Sequence, residues 1–131
     1  MILGIDAGGS TTKIVALGRG EALLGSLQVA AGDQTTALYG AIGHLLHDLG
    51  ADLGQVEQMV LTGVGASFVE GDLYGIPTAK VDEIESIGRG GLMLGQVSET
   101  LVVSIGTGTA FVRAGAQGAR HVGGSGVGGG T

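Results

Sequence analysis

Glycine limits what this chain can fold into more than any other feature, because it accounts for 29 of the 131 residues while Pro occurs only once. Average glycine usage is about 7%. The glycines follow no Gly-X-Y period, which excludes a collagen-like helix, and a hydrophobic fraction of 44% supplies the core that a disordered chain lacks. We therefore expect the glycines at turns and where another group lies close to the backbone, so that the backbone itself serves as a binding surface.

The charge and the lack of cysteine exclude several classes of function. A formal net charge of −6 and an isoelectric point near 4.7 argue against nucleic acid or a membrane surface as a partner. Without Cys the sequence offers no disulfide framework, thiolate zinc site or iron–sulfur cluster. It also shows neither a basic-then-apolar leader nor a long apolar run. We expect a cytoplasmic protein with a small-molecule substrate.

Short apolar segments separated by glycine turns open the chain, and amphipathic segments follow. Three apolar segments within residues 1–30 predict an antiparallel meander. Apolar residues at helical spacing predict an α-helix with Asp33 near its start and Gly50 at its end. Further along we predict a strand at 56–62, a short helix at 66–74, a strand at 77–81 and a helix at 82–94. The order β-β-β-α-β-α-β predicts a mixed sheet in an α/β architecture.

The strand pattern restarts near Leu101. A strand at 101–105 leads into Gly106-Thr107-Gly108-Thr109, and another strand follows at 110–114. This unit is similar to the opening one, whose first strand ends in Ile5-Asp6-Ala7-Gly8-Gly9-Ser10-Thr11. The repetition predicts a duplicated fold, with a first domain over residues 1–98 and the first hairpin of a second, similar domain within 99–131.

The glycine-rich turns suit phosphate groups, because they present unhindered backbone N–H groups beside Ser and Thr hydroxyls. Asp6 ends the first strand, where a carboxylate can hold Mg²⁺ through water, and Lys13 is the cation nearest to that turn in the sequence. The sequence contains no Gly-x-x-x-x-Gly-Lys-Ser/Thr P-loop and no Gly-x-Ser-x-Gly nucleophile elbow. A Rossmann motif is also excluded, because Gly8-Gly9 precedes a strand rather than a helix.

Glu83 is the acid best placed for proton transfer. It follows a strand and lies in the first turn of a helix, where a carboxylate can accept the proton of a substrate hydroxyl during phosphoryl transfer. The alternative is helix capping, which is favoured for the neighbouring Asp82 and Glu85 because acidic residues stabilise a helix N-terminus. The pattern alone leaves both roles open for Glu83.

Four segments together resemble a known family. The segment Ile5-Asp6-Ala7-Gly8-Gly9-Ser10-Thr11-Thr12-Lys13 resembles the first phosphate loop of the acetate and sugar kinase, heat-shock ATPase and actin superfamily. With Val81-Asp82-Glu83-Ile84-Glu85, residues 104–109 and residues 122–131 in this order, the chain resembles type II pantothenate kinase. The resemblance implies a ribonuclease H-like (actin-like ATPase) fold and ATP and Mg²⁺ as cofactors. It also implies phosphorylation of pantothenate, the first step of coenzyme A synthesis, and a homodimer for the full-length protein.

The resemblance also implies roles for the matching residues. Glu83 would be the catalytic base, and Asp6 would bind the metal through water. The first phosphate loop would comprise Asp6, Ala7, Gly8, Gly9, Ser10, Thr11, Thr12 and Lys13. Other nucleotide contacts would come from Thr107, Gly129, Gly130 and Thr131. The acceptor would contact Thr107, Thr109, Ala110, Arg120 and His121.

Two departures from the family pattern bear on the function. The family has Arg directly before its last Val-Gly-Gly, whereas this chain has His121 preceded by Arg120, so either Arg120 substitutes or the acceptor is not pantothenate. Family members are also much longer, so we expect an N-terminal portion with little turnover of its own.

Two other functions stay open. One is an activator ATPase of the benzoyl-CoA or hydroxyacyl-CoA reductase type, which shares the opening loop and a similar acidic-helix motif. Such activators hold an iron–sulfur cluster with cysteines, which this chain lacks. The other is a non-catalytic module that binds a nucleotide or an acyl-CoA.

Overall fold

The computed structural model of the chain describes residues 1–129. The contacts between residues divide the chain into two compact units, Met1–Val81 and a second that begins at Asp82. The helix predicted at 82–94 belongs by its contacts to the second unit, although the sequence placed it in the first domain. The predicted domain boundary after residue 98 stays a prediction. No helix within the described residues is both long and apolar enough to cross a membrane.

The first unit is a five-stranded sheet with one α-helix. Its elements are β1 (Ile2–Ala7), β2 (Thr11–Leu17), β3 (Leu23–Ala30), α1 (Gln34–Leu49), β4 (Gln58–Thr62) and β5 (Thr78–Lys80). The strand order is β3-β2-β1-β4-β5. Because β1 is antiparallel to β2 and parallel to β4, the sheet is mixed, which confirms the predicted α/β class.

One face of this sheet packs with α1 to form the core. Alternate residues of β1, such as Leu3 and Ile5, are buried in one cluster with Ile42 and Leu45 of the helix. Each such side chain stabilises the fold by roughly 1.5–3 kcal/mol when fully buried. The helix has the predicted ends. The Asp33 carboxylate accepts a hydrogen bond from the backbone N–H of Thr36 (2.8 Å), and the residue after the helix, Gly50, has a left-handed conformation.

The prediction of a short helix at 66–74 is wrong, because no α-helix forms there. The structure has a 3₁₀ turn at Val64–Phe68, and the chain then runs irregularly to β5. Positive φ angles at Gly71, Tyr74 and Gly75 break any helical path. The Asp72 carboxylate instead accepts a hydrogen bond from the N–H of Thr78 (3.0 Å), which fixes this connection to the start of β5.

The second unit is a three-stranded antiparallel sheet covered on one face by a helix. Its elements are α2 (Glu83–Gly95), β6 (Thr100–Ile105), β7 (Thr109–Gly115) and β8 (Gly118–Ser125), with strand order β6-β7-β8. Close packing explains two of the glycines within α2, because a side chain at Gly88 would collide with Ala119 and one at Gly91 would collide with Val102 of the sheet. The opposite face of β6 is open, and Leu101, Val103 and Ile105 are exposed there.

Candidate functional site

The first glycine turn is the tip of the β1–β2 hairpin. The N–H of Gly8 donates a hydrogen bond to the carbonyl of Thr11 (3.0 Å) and closes the turn. Gly9 and Ser10 are exposed at the tip, and no atom lies within 4 Å of the place a side chain would take at Gly9. This open backbone is accessible to a phosphate group.

Asp6 and Lys13 lie opposite each other on the two strands below this tip. The Lys13 ammonium is 3.3 Å from Oδ2 of Asp6, and the two side chains are 49% and 34% exposed. The other carboxylate oxygen, Oδ1, is buried and has no hydrogen-bond partner among the described residues. Thr12, which was also predicted to belong to the phosphate loop, points to the opposite face of the sheet from Lys13, where its side chain is completely buried. No part of Thr12 is accessible to a ligand in this structure.

The loop after β4 also lies at this site, although no residue in it was among the predicted site residues. A side chain at Gly63 would come within 2.5 Å of Oδ1 of Asp6 and 2.7 Å of the Ala7 carbonyl oxygen. A side chain at Gly65 would come within 2.9 Å of the Ala7 Cβ. The signal was present in Thr62-Gly63-Val64-Gly65, two glycines directly after a strand that is parallel to β1.

The N-terminus of α1 lies against the same loops. The Gln34 side-chain amide donates a hydrogen bond to the Gly8 carbonyl (3.3 Å), so the start of the helix is bonded to the hairpin tip. A cavity of about 90 Å³ lies beside Gln34 and Gly65, with Tyr39 and Phe68 in its wall. Small-molecule sites usually have volumes of about 300–1,000 Å³. This cavity is therefore too small for a nucleotide, and the exposed tip is the better place for phosphates.

The second glycine turn joins β6 to β7 and packs against the chain that follows β8. The Thr109 hydroxyl donates to the Val127 carbonyl (2.7 Å), and the N–H of Gly129 donates to the Gly106 carbonyl (2.9 Å). A side chain at Gly128 would collide with the Gly106 and Thr107 carbonyls. The predicted nucleotide residues Thr107 and Gly129 are thus in one pair of loops. Gly130 and Thr131 lie outside the described residues.

The three acids at the start of α2 have different surroundings. The Asp82 carboxylate caps the helix by accepting from the N–H of Glu85 (2.9 Å). The Glu85 carboxylate accepts from the N–H of Ala119 (3.0 Å) and from Nε of Arg89 (2.8 Å), which ties the helix to β8. The Glu83 side chain is exposed and has no hydrogen bond or ion pair among the described residues. It is therefore the acid that is available to a substrate.

Arg120 and His121 lie on opposite faces of the second sheet. Arg120 is opposite Arg113, whereas His121 is opposite the buried Val112. The His121 ring reaches the strand end, because its Nε2 is 3.2 Å from the place a side chain would take at Gly124. Gly124 is paired with Ala110, next to Thr109. Of the two predicted residues, His121 is the one beside the glycine loops.

Acidic and histidine side chains do not gather into a metal cage. Within residues 1–129 no group of three or more His, Cys, Asp or Glu side chains could hold a metal ion. Mg²⁺, however, is often held by only one or two carboxylates together with substrate phosphates. The partly exposed Asp6, on β1 below the tip of the first hairpin, is a ligand of that kind.

Comparison with known proteins identifies the fold. No protein-family model matches the chain, and no curated protein matches it in sequence. Solved structures do match. The activator of the 2-hydroxyisocaproyl-CoA dehydratase from Clostridium difficile, with bound ADPNP, is 20% identical over 86% of this chain, with a TM-score of 0.70. Component A of the (R)-2-hydroxyglutaryl-CoA dehydratase from Acidaminococcus fermentans is 22% identical over 89%, with a TM-score of 0.71. The chain has the actin-like ATPase fold.

Sugar kinases share this fold. A ROK family glucokinase from Streptomyces griseus, in complex with glucose and AMPPNP, is 15% identical over 95% of this chain, with a TM-score of 0.65. The chain spans less than half the length of these three structures, namely 40%, 44% and 47%. The predicted fold class is thus confirmed. At these identities the likeness concerns the fold.

Proposed function

We propose that this chain binds ATP with Mg²⁺ at its glycine hairpins and serves phosphoryl transfer to a hydroxylated acid. Pantothenate is the acceptor that the sequence resemblance implies. The observation that carries the proposal is the repeated hairpin. Each sheet has an antiparallel pair whose tip carries glycines and hydroxyl residues, at Gly8–Ser10 and Gly106–Gly108. The same fold holds ADPNP in a dehydratase activator and AMPPNP in a glucokinase. As part of the proposal, residues 99–131 begin a second domain similar to the first.

The residues of the first hairpin fit a phosphate–metal group. The exposed backbone at Gly9 and Ser10 would hold phosphate oxygens, and the Lys13 ammonium, 49% exposed, would neutralise part of their charge. Asp6 would hold Mg²⁺ through water, since its carboxylate is partly exposed and one of its oxygens has no protein partner in the described residues. Bound MgATP supplies the phosphoryl group, and fixed N–H groups and cations stabilise the charge that develops on it.

Glu83 is the proposed catalytic base. It would accept the proton of the acceptor hydroxyl, and its freedom from structural hydrogen bonds supports this role. Asp82 and Glu85 are less suited, because both are already bonded to backbone N–H groups. The acceptor would lie near Thr107, Thr109, Ala110 and His121, while Arg120 on the other face is a poorer candidate. A homodimer of the full-length protein remains part of this proposal.

A second candidate is an activator ATPase, which would hydrolyse ATP without an acceptor. It is favoured by the TM-scores of the two dehydratase proteins, 0.70 and 0.71, against 0.65 for the glucokinase. The lack of Cys favours the kinase, because this chain has no ligands for an iron–sulfur cluster. The sequence resemblance, which includes the last glycine motif, also favours the kinase.

Calorimetric titration of the purified chain with ATP, with and without Mg²⁺, tests the proposal. We expect Mg²⁺-dependent binding that Asp6→Asn weakens at least tenfold, as loss of groups around a metal commonly does. Asp48→Asn is the matched control, because Asp48 is an exposed acid on α1 paired with His44 (3.5 Å). Absence of ATP binding by the wild type would overturn the proposal. Tight binding of a coenzyme A thioester with no ATP binding would instead indicate a non-catalytic module.

Turnover distinguishes the two enzyme candidates. We expect little turnover from the 131-residue chain. In a form that includes a complete second domain, phosphate transfer from ATP should depend on pantothenate, and Glu83→Gln should abolish it while ATP still binds. Glu85→Gln is the control for charge at the same helix end. Rapid ATP hydrolysis that does not depend on an acceptor would favour the activator ATPase.

A further inference from the structure

Two buried polar atoms without partners belong to neighbouring residues at the ends of β1 and β4. They are Oδ1 of Asp6 and the hydroxyl oxygen of Thr62, and neither has a hydrogen bond among the described residues. Asp6 and Thr62 are paired in the parallel register of the two strands, so their side chains lie on the same face of the sheet. Asp6 already has a role in the proposed function, whereas its neighbour Thr62 has none.

The fold does not require a hydroxyl at position 62. The preceding residue on the same face of β4 is Val60, and a second Val would fill the position without a buried polar atom. A buried polar atom without a hydrogen bond costs free energy, so native proteins nearly always give it a partner. The carboxylate oxygen can only accept, whereas the hydroxyl can donate or accept. A group that satisfies both oxygens must therefore bring a donor or a positive charge.

The surroundings limit this group to a small one. The loop at Gly63 lies so close that a side chain there would be 2.5 Å from Oδ1 of Asp6 and 2.7 Å from the Ala7 carbonyl oxygen. Lys13 does not fill the position, because its ammonium pairs with the other carboxylate oxygen, Oδ2, at 3.3 Å. A nucleotide is too large to reach two buried oxygens here, so the partner has to be a group of the size of a water molecule. Waters with several polar partners are common in such places.

We propose that Asp6 and Thr62 together fix an ordered water molecule that belongs to the hydration shell of a bound divalent cation. Thr62 is then a second protein group of the cation site, and it acts by holding the water and orienting the Asp6 carboxylate. This inference rests on the proposed function, since that function places Mg²⁺ at Asp6. It assigns a purpose to the Thr62-Gly63 step, which the resemblance to kinases left without one.

The test uses Mn²⁺ as the probe, with the free ion measured by electron paramagnetic resonance while it is titrated into the chain in the presence of ATP. Thr62→Val removes the hydroxyl and keeps the shape of the side chain, and we expect it to weaken Mn²⁺ binding about tenfold or more. Thr62→Ser keeps the hydroxyl and should bind within about threefold of the wild type. Ser26→Ala is the matched control. Ser26 lies on β3 opposite Val15, on the same face of the sheet as Asp6 and Thr62, so the substitution removes a hydroxyl from that face at a distance from the site.

Equal Mn²⁺ affinity in wild type and Thr62→Val would overturn the inference. So would a wild type that binds ATP but no Mn²⁺. Failure of the proposed function looks different, because the wild type then binds no ATP at all. Thermal unfolding with and without Mn²⁺ gives a second readout, in which the ion should raise the midpoint of the wild type and of Thr62→Ser more than that of Thr62→Val. If Thr62→Val does not fold, Thr62→Ser still decides, since a loss of Mn²⁺ binding there contradicts a role for the hydroxyl.

Discussion

Replacing Gly63 by Ala should destabilise the first unit more than any other single methyl group added to its loops. Gly63 has φ +88° and ψ 171°. Residues other than glycine almost never adopt this combination, because the side chain collides with the adjacent backbone. The loop takes this conformation immediately after β4, where the chain turns to lie against the end of β1.

Two contributions set the size of the effect. The backbone conformation costs a residue with a side chain about 1–3 kcal/mol. The added Cβ would also lie 2.5 Å from Oδ1 of Asp6 and 2.7 Å from the Ala7 carbonyl oxygen, and overpacking of this kind costs about 1–3 kcal/mol. Together they lower the free energy of unfolding by about 2–6 kcal/mol. Small domains have about 5–15 kcal/mol in total, so the variant should lose a large part of its stability.

Urea denaturation followed by far-ultraviolet circular dichroism measures this loss. Gly43→Ala is the matched control, because Gly43 is exposed on α1 and no atom lies within 4 Å of its added methyl group. It should raise the free energy of unfolding by about 0.5–1 kcal/mol, as alanine does in helices. A Gly63→Ala variant within about 1 kcal/mol of the wild type, with the same dependence on urea, would refute the reasoning about the loop.

Three further predictions concern buried or capping groups. Thr12→Val should raise the free energy of unfolding by about 1 kcal/mol, since it removes a completely buried hydroxyl with no partner in the described residues; an unchanged or lower urea midpoint would contradict this. Glu85→Ala leaves the Ala119 N–H without its acceptor and should cost about 1–3 kcal/mol in the same assay, whereas Glu83→Ala should cost clearly less; equal losses would show that the tie to β8 is unimportant. Hydrogen bonds from Thr36 lower the pKa of Asp33, the side chain having the larger effect and the backbone N–H the smaller. The ionised cap therefore contributes stability above about pH 4, and this contribution is lost as the pH falls through the lowered pKa. Asp33→Asn should remove that part of the acid dependence in unfolding curves measured across this range, and a curve identical to the wild type would argue against it.

The sequence predicted best what local interactions decide. The ends of α1 follow from Asp33 and Gly50, whose capping roles depend on a few neighbouring residues. The break in the helix predicted at 66–74 depends on positive φ angles at Gly71, Tyr74 and Gly75, and no residue pattern specifies the positive φ of Tyr74. Likewise, glycines within α2 are a weak signal until the sheet that they pack against is known.

The candidate site divides in the same way. The glycine turns and Asp6 could be found from the sequence, because strand–turn–strand patterns are local. The pairing of Asp6 with Thr62 could not, because it depends on the register of two parallel strands that are far apart in the chain. The different surroundings of Asp82, Glu83 and Glu85 were equally hidden, since they depend on how α2 meets β8.

The register of β8 also bears on the identity of the acceptor. Neighbouring residues of a strand point to opposite faces, so Arg120 cannot take the place of His121 unless the whole strand shifts by one residue. Such a shift would move Ala119 away from Ala114 and break the hydrogen bond between the Ala119 N–H and Glu85. In the proposed function His121 therefore meets the acceptor. The histidine side chain is shorter than that of arginine, and its imidazole cannot donate two parallel hydrogen bonds to one carboxylate. If pantothenate is the acceptor, its carboxylate must be held more weakly here than an arginine at this position would hold it, or by a group other than residue 121.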